Sequence, residues 1–221
     1  MHKFNYFCSI VLTITLPLMI FILSSNLVLR VPAIYTYHYN DSQVIDEIPY
    51  YVTGSQMADG IASYWSSFSG EAFQVYEKNG TYQDPIFDEA EQQVMQKAKR
   101  ILNIELAAGV LLLAITLAIY IYLYRSGFRD ALRNRSRVGL ALALVLLIAH
   151  GVCWHIKGYR LWLYAHLIGI ELPEESTTLV TVLGDPFFKT YVIFASIFGA
   201  AMLAVICYVN HLLTKPSRIF Y

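Results

Sequence analysis

Four long apolar segments, at residues 5–29, 101–124, 138–154 and 187–210, constrain this chain more than any other feature of it. A bilayer core of about 30 Å takes about 20 residues of helix, and it offers no water to an open backbone amide, so each segment must close its own hydrogen bonds as a helix. With 57% hydrophobic residues and a mean hydropathy of +0.48, the 221 residues are too apolar for a soluble domain and too long for a single anchor. The expected fold is therefore an all-α integral membrane protein with four transmembrane helices and a small extracytoplasmic cap. The first segment, within 1–29, reads as an uncleaved span kinked at Pro17 rather than a signal peptide. Its apolar run exceeds a usual h-region of about 7–15 residues, and no small-x-small cleavage site precedes Arg30.

Charge orients the spans. Lys3, Arg125, Arg129, Arg133, Arg135, Arg137, Lys215 and Arg218 fall on one side with a single acid, Asp130. By the positive-inside rule that side is cytoplasmic, which puts the protein in the plasma membrane with both termini inside, 125–137 as a basic cytoplasmic loop and 211–221 as a cytoplasmic tail. The segments 30–100 and 155–186 then lie outside, and their acidic balance offers no footprint for nucleic acid. Cys8, Cys153 and Cys207 are odd in number and lack CxxC spacing, so neither a disulfide framework nor a zinc site follows. No P-loop, dinucleotide glycine motif or internal repeat is present; no cofactor is expected, and a transporter built on inverted repeats is disfavoured.

Within 30–100, Tyr35, Tyr37 and Tyr39 alternate as a short strand would, with His38 among them. Met57, Ile61, Tyr64 or Trp65, and Phe68 recur at helical spacing from Ser55 and predict an amphipathic helix ending at Gly70. Asn79-Gly80 between β-prone residues predicts a hairpin. After Asp84-Pro85, Asp88 is placed to cap a helix with acids in its first turn that runs without interruption into the second span.

The candidate chemistry gathers between Trp154 and Phe188. Leu161–Ile170 is ten residues long with His166 as the one side chain of a type that titrates near neutral pH, too short to cross a membrane and suited to an interfacial or re-entrant element. Histidine exchanges protons near neutral pH, and His150, His155 and His166 lie at or beyond one end of the third span. Their i, i+5 and i+11 offsets do not make a helical metal pair. The plainer alternatives stay open: His155 as an interfacial polar residue, His150 as a helix-to-helix contact, Glu105 as a snorkelling carboxylate, and the Trp and Tyr residues as an aromatic belt.

Two stretches carry a resemblance. Residues 87–99, F-D-E-A-E-Q-Q-V-M-Q-K-A-K, align without a gap to F-S-E-R-E-x-S-H-M-x-D-V-K, matching at Phe87, Glu89, Glu91, Met95 and Lys99. Residues 177–188, T-T-L-V-T-V-L-G-D-P-F-F, align to D-P-L-I-x-x-L-P-x-x-F-F, and Ala165-His166 falls where Phe-His belongs in F-H-x-x-F-F. With the four-span layout, the chain resembles the bacterial integral membrane family that includes the lipoprotein intramolecular transacylase Lit. Val94 stands where that family's first histidine would be, Lys97 where its aspartate would be, and Gly169-Ile170 where the Phe-Phe after its Phe-His would be. The resemblance implies an acyltransferase acting on lipoprotein or lipid acyl chains at the outer face, with membrane lipids and diacylglyceryl lipoproteins as partners. It makes His166 the candidate catalytic base, with Glu91, Lys99, Glu105, His150 and His155 as candidate supporting groups. The alternative from another class is a non-catalytic membrane protein that binds a lipid or protein partner through its cap.

Overall fold

The computed structural model describes residues 2–79, 82–168 and 177–214. Four long helices dominate: α1 (His2–Val28), α4 (Glu89–Arg125), α5 (Arg129–Cys153) and α8 (Asp185–Leu213). Each lies in a stretch long and apolar enough to cross a membrane, as the four apolar segments require, and the protein is a multi-pass membrane protein. Between them lie α2 (Pro32–Ser42), a 3-10 turn (Val44–Glu47), α3 (Gly54–Ser66), the strands β1 (Tyr76–Asn79) and β2 (Tyr82–Pro85), α6 (Lys157–Leu163) with a π-helical turn (Tyr164–Ile168), and α7 (Thr178–Leu183). The chain forms two compact units, one of Met1–Ser25, Leu106–His150 and Ser196–Tyr221, the other of Asn26–Glu105 and Gly151–Ala195.

The first unit is the helical bundle. Over half of the apolar window of α1 is buried, 56% against 17–33% in the other three, so α1 is the helix around which the others pack. Leu12, Leu16, Ile20 and Leu23 of α1 meet Ile119 and Leu123 of α4 and Leu132, Leu140 and Ala143 of α5. Polar side chains also bond between the helices: Thr116 donates to Thr15 at 3.2 Å and Tyr122 to Asn5 at 2.8 Å. Gly199 lets α8 approach closely, since a Cβ there would come within 2.6 Å of Leu147 Cδ2. The basic stretch expected as a loop over 125–137 is almost entirely helix. Gly127 takes φ +77°, its amide bonds Tyr124 O at 3.3 Å, and Phe128 N bonds Leu123 O at 3.1 Å, a glycine stop that ends α4 and lets α5 restart within three residues.

In the second unit the Tyr-rich stretch is helix α2, not the expected strand. Pro32 stands at its first position, where the missing amide is no loss, and Ile34, Tyr35, His38 and Tyr39 form a buried i, i+1, i+4, i+5 face. Alternation of three tyrosines was weaker information than that face. The amphipathic helix is present as α3, opened by a Thr53–Gln56 capping box and ending at Ser66, short of Gly70. The hairpin is present too, with Asn79 paired to Tyr82 across a connection that lies outside the described residues. At the start of α4, Glu91 N bonds Asp88 Oδ1 at 2.7 Å while Asp88 N bonds Glu91 Oε2 at 3.0 Å, the reciprocal cap that satisfies two open donors. Buried aromatics bind the unit together: Tyr35 stacks on Phe187 at 4.8 Å, Phe73 packs on Phe87 and Tyr164 on Phe188.

Candidate functional site

His166 sits in the π-helical turn that follows α6. Its ring stacks on Trp162, centroids 4.9 Å apart and planes 20° apart, and its Nδ1 lies 2.8 Å from the Trp162 carbonyl oxygen. A carbonyl only accepts, so Nδ1 carries the hydrogen and Nε2 of the neutral ring keeps its lone pair. The side chain is exposed. The result is an oriented imidazole whose proton-accepting nitrogen is free of that bond.

What holds this element is an ion pair that the residue pattern did not single out. Arg160, at the buried face of α6, grips Asp185 with both ends of its fork, Nε to Oδ1 at 2.8 Å and an Nη to Oδ2 at 3.1 Å, and donates its remaining Nη to Trp154 O at 2.6 Å. Bidentate geometry fixes direction as well as distance, so α6 is anchored to the first residue of α8. The signal in the sequence was Asp185-Pro186, an acid at the mouth of a span, but its partner lies 25 residues away.

The candidate supporting residues have neighbours of their own. Glu91, 4% exposed, gives its second oxygen to Leu179 N at 2.7 Å, so one carboxylate caps α4 and α7 together. Lys99 donates to Ser67 Oγ at 3.2 Å and Ser69 O at 3.0 Å and lies 4.1 Å above the Tyr64 ring. Glu105 is half-buried near the Asn26 amide, within a polar cluster in which Asn26 donates to Leu102 O at 2.7 Å and Arg30 reaches Asn26, Asn103 and the Trp65 carbonyl. His155 is exposed and packs against Trp154 at 4.2 Å. His150 belongs to the bundle, buried edge-on against Phe21 at 5.3 Å. Among the described residues His166 shares no hydrogen bond or ion pair with Glu91, Lys99 or Glu105; its ring is oriented by Trp162. No group of three His, Cys, Asp or Glu is placed to hold a metal ion among the described residues.

A second histidine emerges that residue patterns left without a role. His38 on α2 is 4% exposed, with Nδ1 3.1 Å from Thr190 Oγ1 and its ring edge-on to Phe187. Burial pushes its pKa below the ordinary 6.5 against a small opposing pull from Asp41, so the ring is neutral at physiological pH.

Glu91 and Leu179 are positions of the two stretches that carry the family resemblance, and their bond joins those stretches in space. No family model matches the sequence, and no curated protein matches it. Solved structures do. A structure of the membrane integral lipoprotein intramolecular transacylase Lit from Bacillus cereus superposes with a TM-score of 0.76, covering 97% of this chain and 98% of that one at 16% identity. Two structures of the same protein, with one histidine replaced by arginine or by alanine, superpose with TM-scores of 0.72 and 0.73 at 14% identity. Over nearly its whole length, then, this chain is folded like that membrane-integral transacylase.

Proposed function

We propose that the protein is a membrane acyltransferase that moves an acyl chain within a lipoprotein at the outer face of the membrane, with His166 as its general base. The observation that carries the reading is the fold likeness across 97% of the chain. The Nε2 of His166, which has no hydrogen-bond partner among the described residues, adds to it. In the reaction, Nε2 takes a proton from the α-ammonium of the lipoprotein's N-terminal cysteine, a group of pKa about 8. The amine attacks the ester carbonyl of a glycerol-linked acyl chain, and the tetrahedral oxyanion collapses. The glycerol oxygen leaves with the proton from the imidazolium, and the freed Nε2 takes the second proton from the acylated nitrogen and passes it to water, so an amide and a free hydroxyl form as the ester breaks, one proton is released and no further reactant is needed. Mass spectrometry of lipoprotein N-termini from cells with and without the protein tests this. An acyl group on the cysteine nitrogen that requires the protein is the expected result, and identical acylation in both rules it out for that substrate.

A second reading, a non-catalytic protein that holds a lipid or protein partner, has a specific observation in its favour. Glu91 and Lys99 spend their hydrogen bonds on Asp88, Leu179, Ser67 and Ser69, and Val94 occupies the position of the family's first histidine. On that reading acylation is unchanged by deletion while the partner co-purifies with the intact chain.

A further inference from the structure

At the arginine-bearing end of the bundle, α4, α8 and α1 surround a cavity of about 490 Å³, within the range of small-molecule sites. Its walls are apolar, with Leu117 and Ile121 from α4 facing Val209 and Leu213 from α8 over a floor at Met19. Along α4 the lining runs from Leu113 to Arg125. Those twelve steps of helix rise about 18 Å, close to the depth of one leaflet of a hydrocarbon core about 30 Å thick. A groove of that length suits an acyl chain lying along the helix rather than a compact ligand.

The charge at its mouth specifies the headgroup. Arg125 lines the groove, and the Arg129 guanidinium lies 4.6 Å from the ring of Tyr124, another lining residue. Between 125 and 137 the one acid is Asp130, and Arg133 holds it at 3.0 Å. Among the described residues Arg125 and Arg129 have no carboxylate partner, which leaves their charge available to an anion at the mouth of the groove. Basic side chains at the interfacial end of an apolar groove between membrane helices select anionic lipid. We infer that this groove is a binding site for one anionic phospholipid, with an acyl chain between α4 and α8 and its phosphate at Arg125 and Arg129. The site lies wholly within the bundle unit, whereas His166 and its neighbours belong to the other unit.

Native mass spectrometry of the full-length protein in mild detergent, exposed in parallel to phosphatidylglycerol and phosphatidylcholine, tests it. The wild type should retain phosphatidylglycerol in preference. Arg125→Gln and Arg129→Gln, both at exposed side chains, should each weaken that retention about fivefold, the scale of one basic residue at an anionic surface. Ile121→Trp, which fills the groove, should abolish it. Because the two arginine variants remove only surface charge, they decide the matter even if Ile121→Trp fails to insert. Equal retention of both lipids, wild-type retention by the double arginine variant, or displacement by excess inorganic phosphate would each overturn the assignment. So would phosphatidylglycerol binding that appears only when the chain is ended at Thr214, since residues 215–221 would then be the occupant.

Discussion

His166 tests the proposed chemistry most directly. Replacing it with Gln keeps size and hydrogen bonding and removes the basic nitrogen, so the protein should insert and fold normally while acyl transfer drops about 10²-fold or more, the scale for losing a general base. Full activity in that variant would take the residue out of the reaction. Glu91 should behave in the opposite way. Its carboxylate serves the backbone amides of Asp88 and of Leu179, the latter 88 residues from Glu91 itself, so Glu91→Ala should lower thermal stability by about 1–3 kcal/mol, beyond the loss of an ordinary helix cap. Differential scanning fluorimetry in detergent would show it, with Asp88→Ala as the milder comparison. His38 predicts a pH effect. Its folded pKa is held below 6.5 by burial, so below pH 6.5 the unfolded chain takes up a proton that the folded chain refuses. Stability on this account is full above that value and falls as pH drops through it. His38→Gln should flatten the melting temperature over that window, and an unchanged slope would assign the acid sensitivity elsewhere.

Among the elements, those with local signals were legible in the sequence. Asn79-Gly80 announces a hairpin in the sequence and β1 pairs with β2 there, and Asp88 with Glu91 writes a helix start within four residues. The Tyr35-Tyr37-Tyr39 stretch was not, because three side chains fit either period and Pro32 decides the matter only once the buried face is known. Nor were the restraints on the candidate site. Arg160 and Asp185 are 25 residues apart, Glu91 and Leu179 88 apart, and no spacing rule links such positions. Here the expected outcome concerns direction rather than charge: Arg160→Lys keeps the cation and loses the fork, and should cost about 1–2 kcal/mol with a matching loss of His166-dependent activity. If Lys serves as well as Arg by both measures, the bidentate geometry is not what positions α6. At the turn between α4 and α5, Gly127→Val should destabilise by about 1–2 kcal/mol, because a β-branched side chain is strained at φ +77°.

For the whole molecule, four membrane-crossing helices and a fold shared with a transacylase follow from patterning that survives at 16% identity, since apolar length and small-residue contacts tolerate wide substitution. Orientation rests on the arginine count. In a background lacking Cys8, Cys153 and Cys207, a cysteine at 131 should label only from the cytoplasm and one at 79 only from outside; the reverse pattern would invert the assignment of both termini.

The Glu91–Leu179 bond also sets an order in time. A ribosome adding about 5–20 residues per second reaches Leu179 roughly 4–18 s after Glu91 has been made. Throughout that interval the carboxylate lacks one of the two amides it will finally hold, and burying it early would leave a charge short of a partner. The start of α4 must therefore stay wet until the last third of the chain has been threaded, which makes its closure a late event in biogenesis and the nascent unit a client for whatever shields half-inserted membrane proteins.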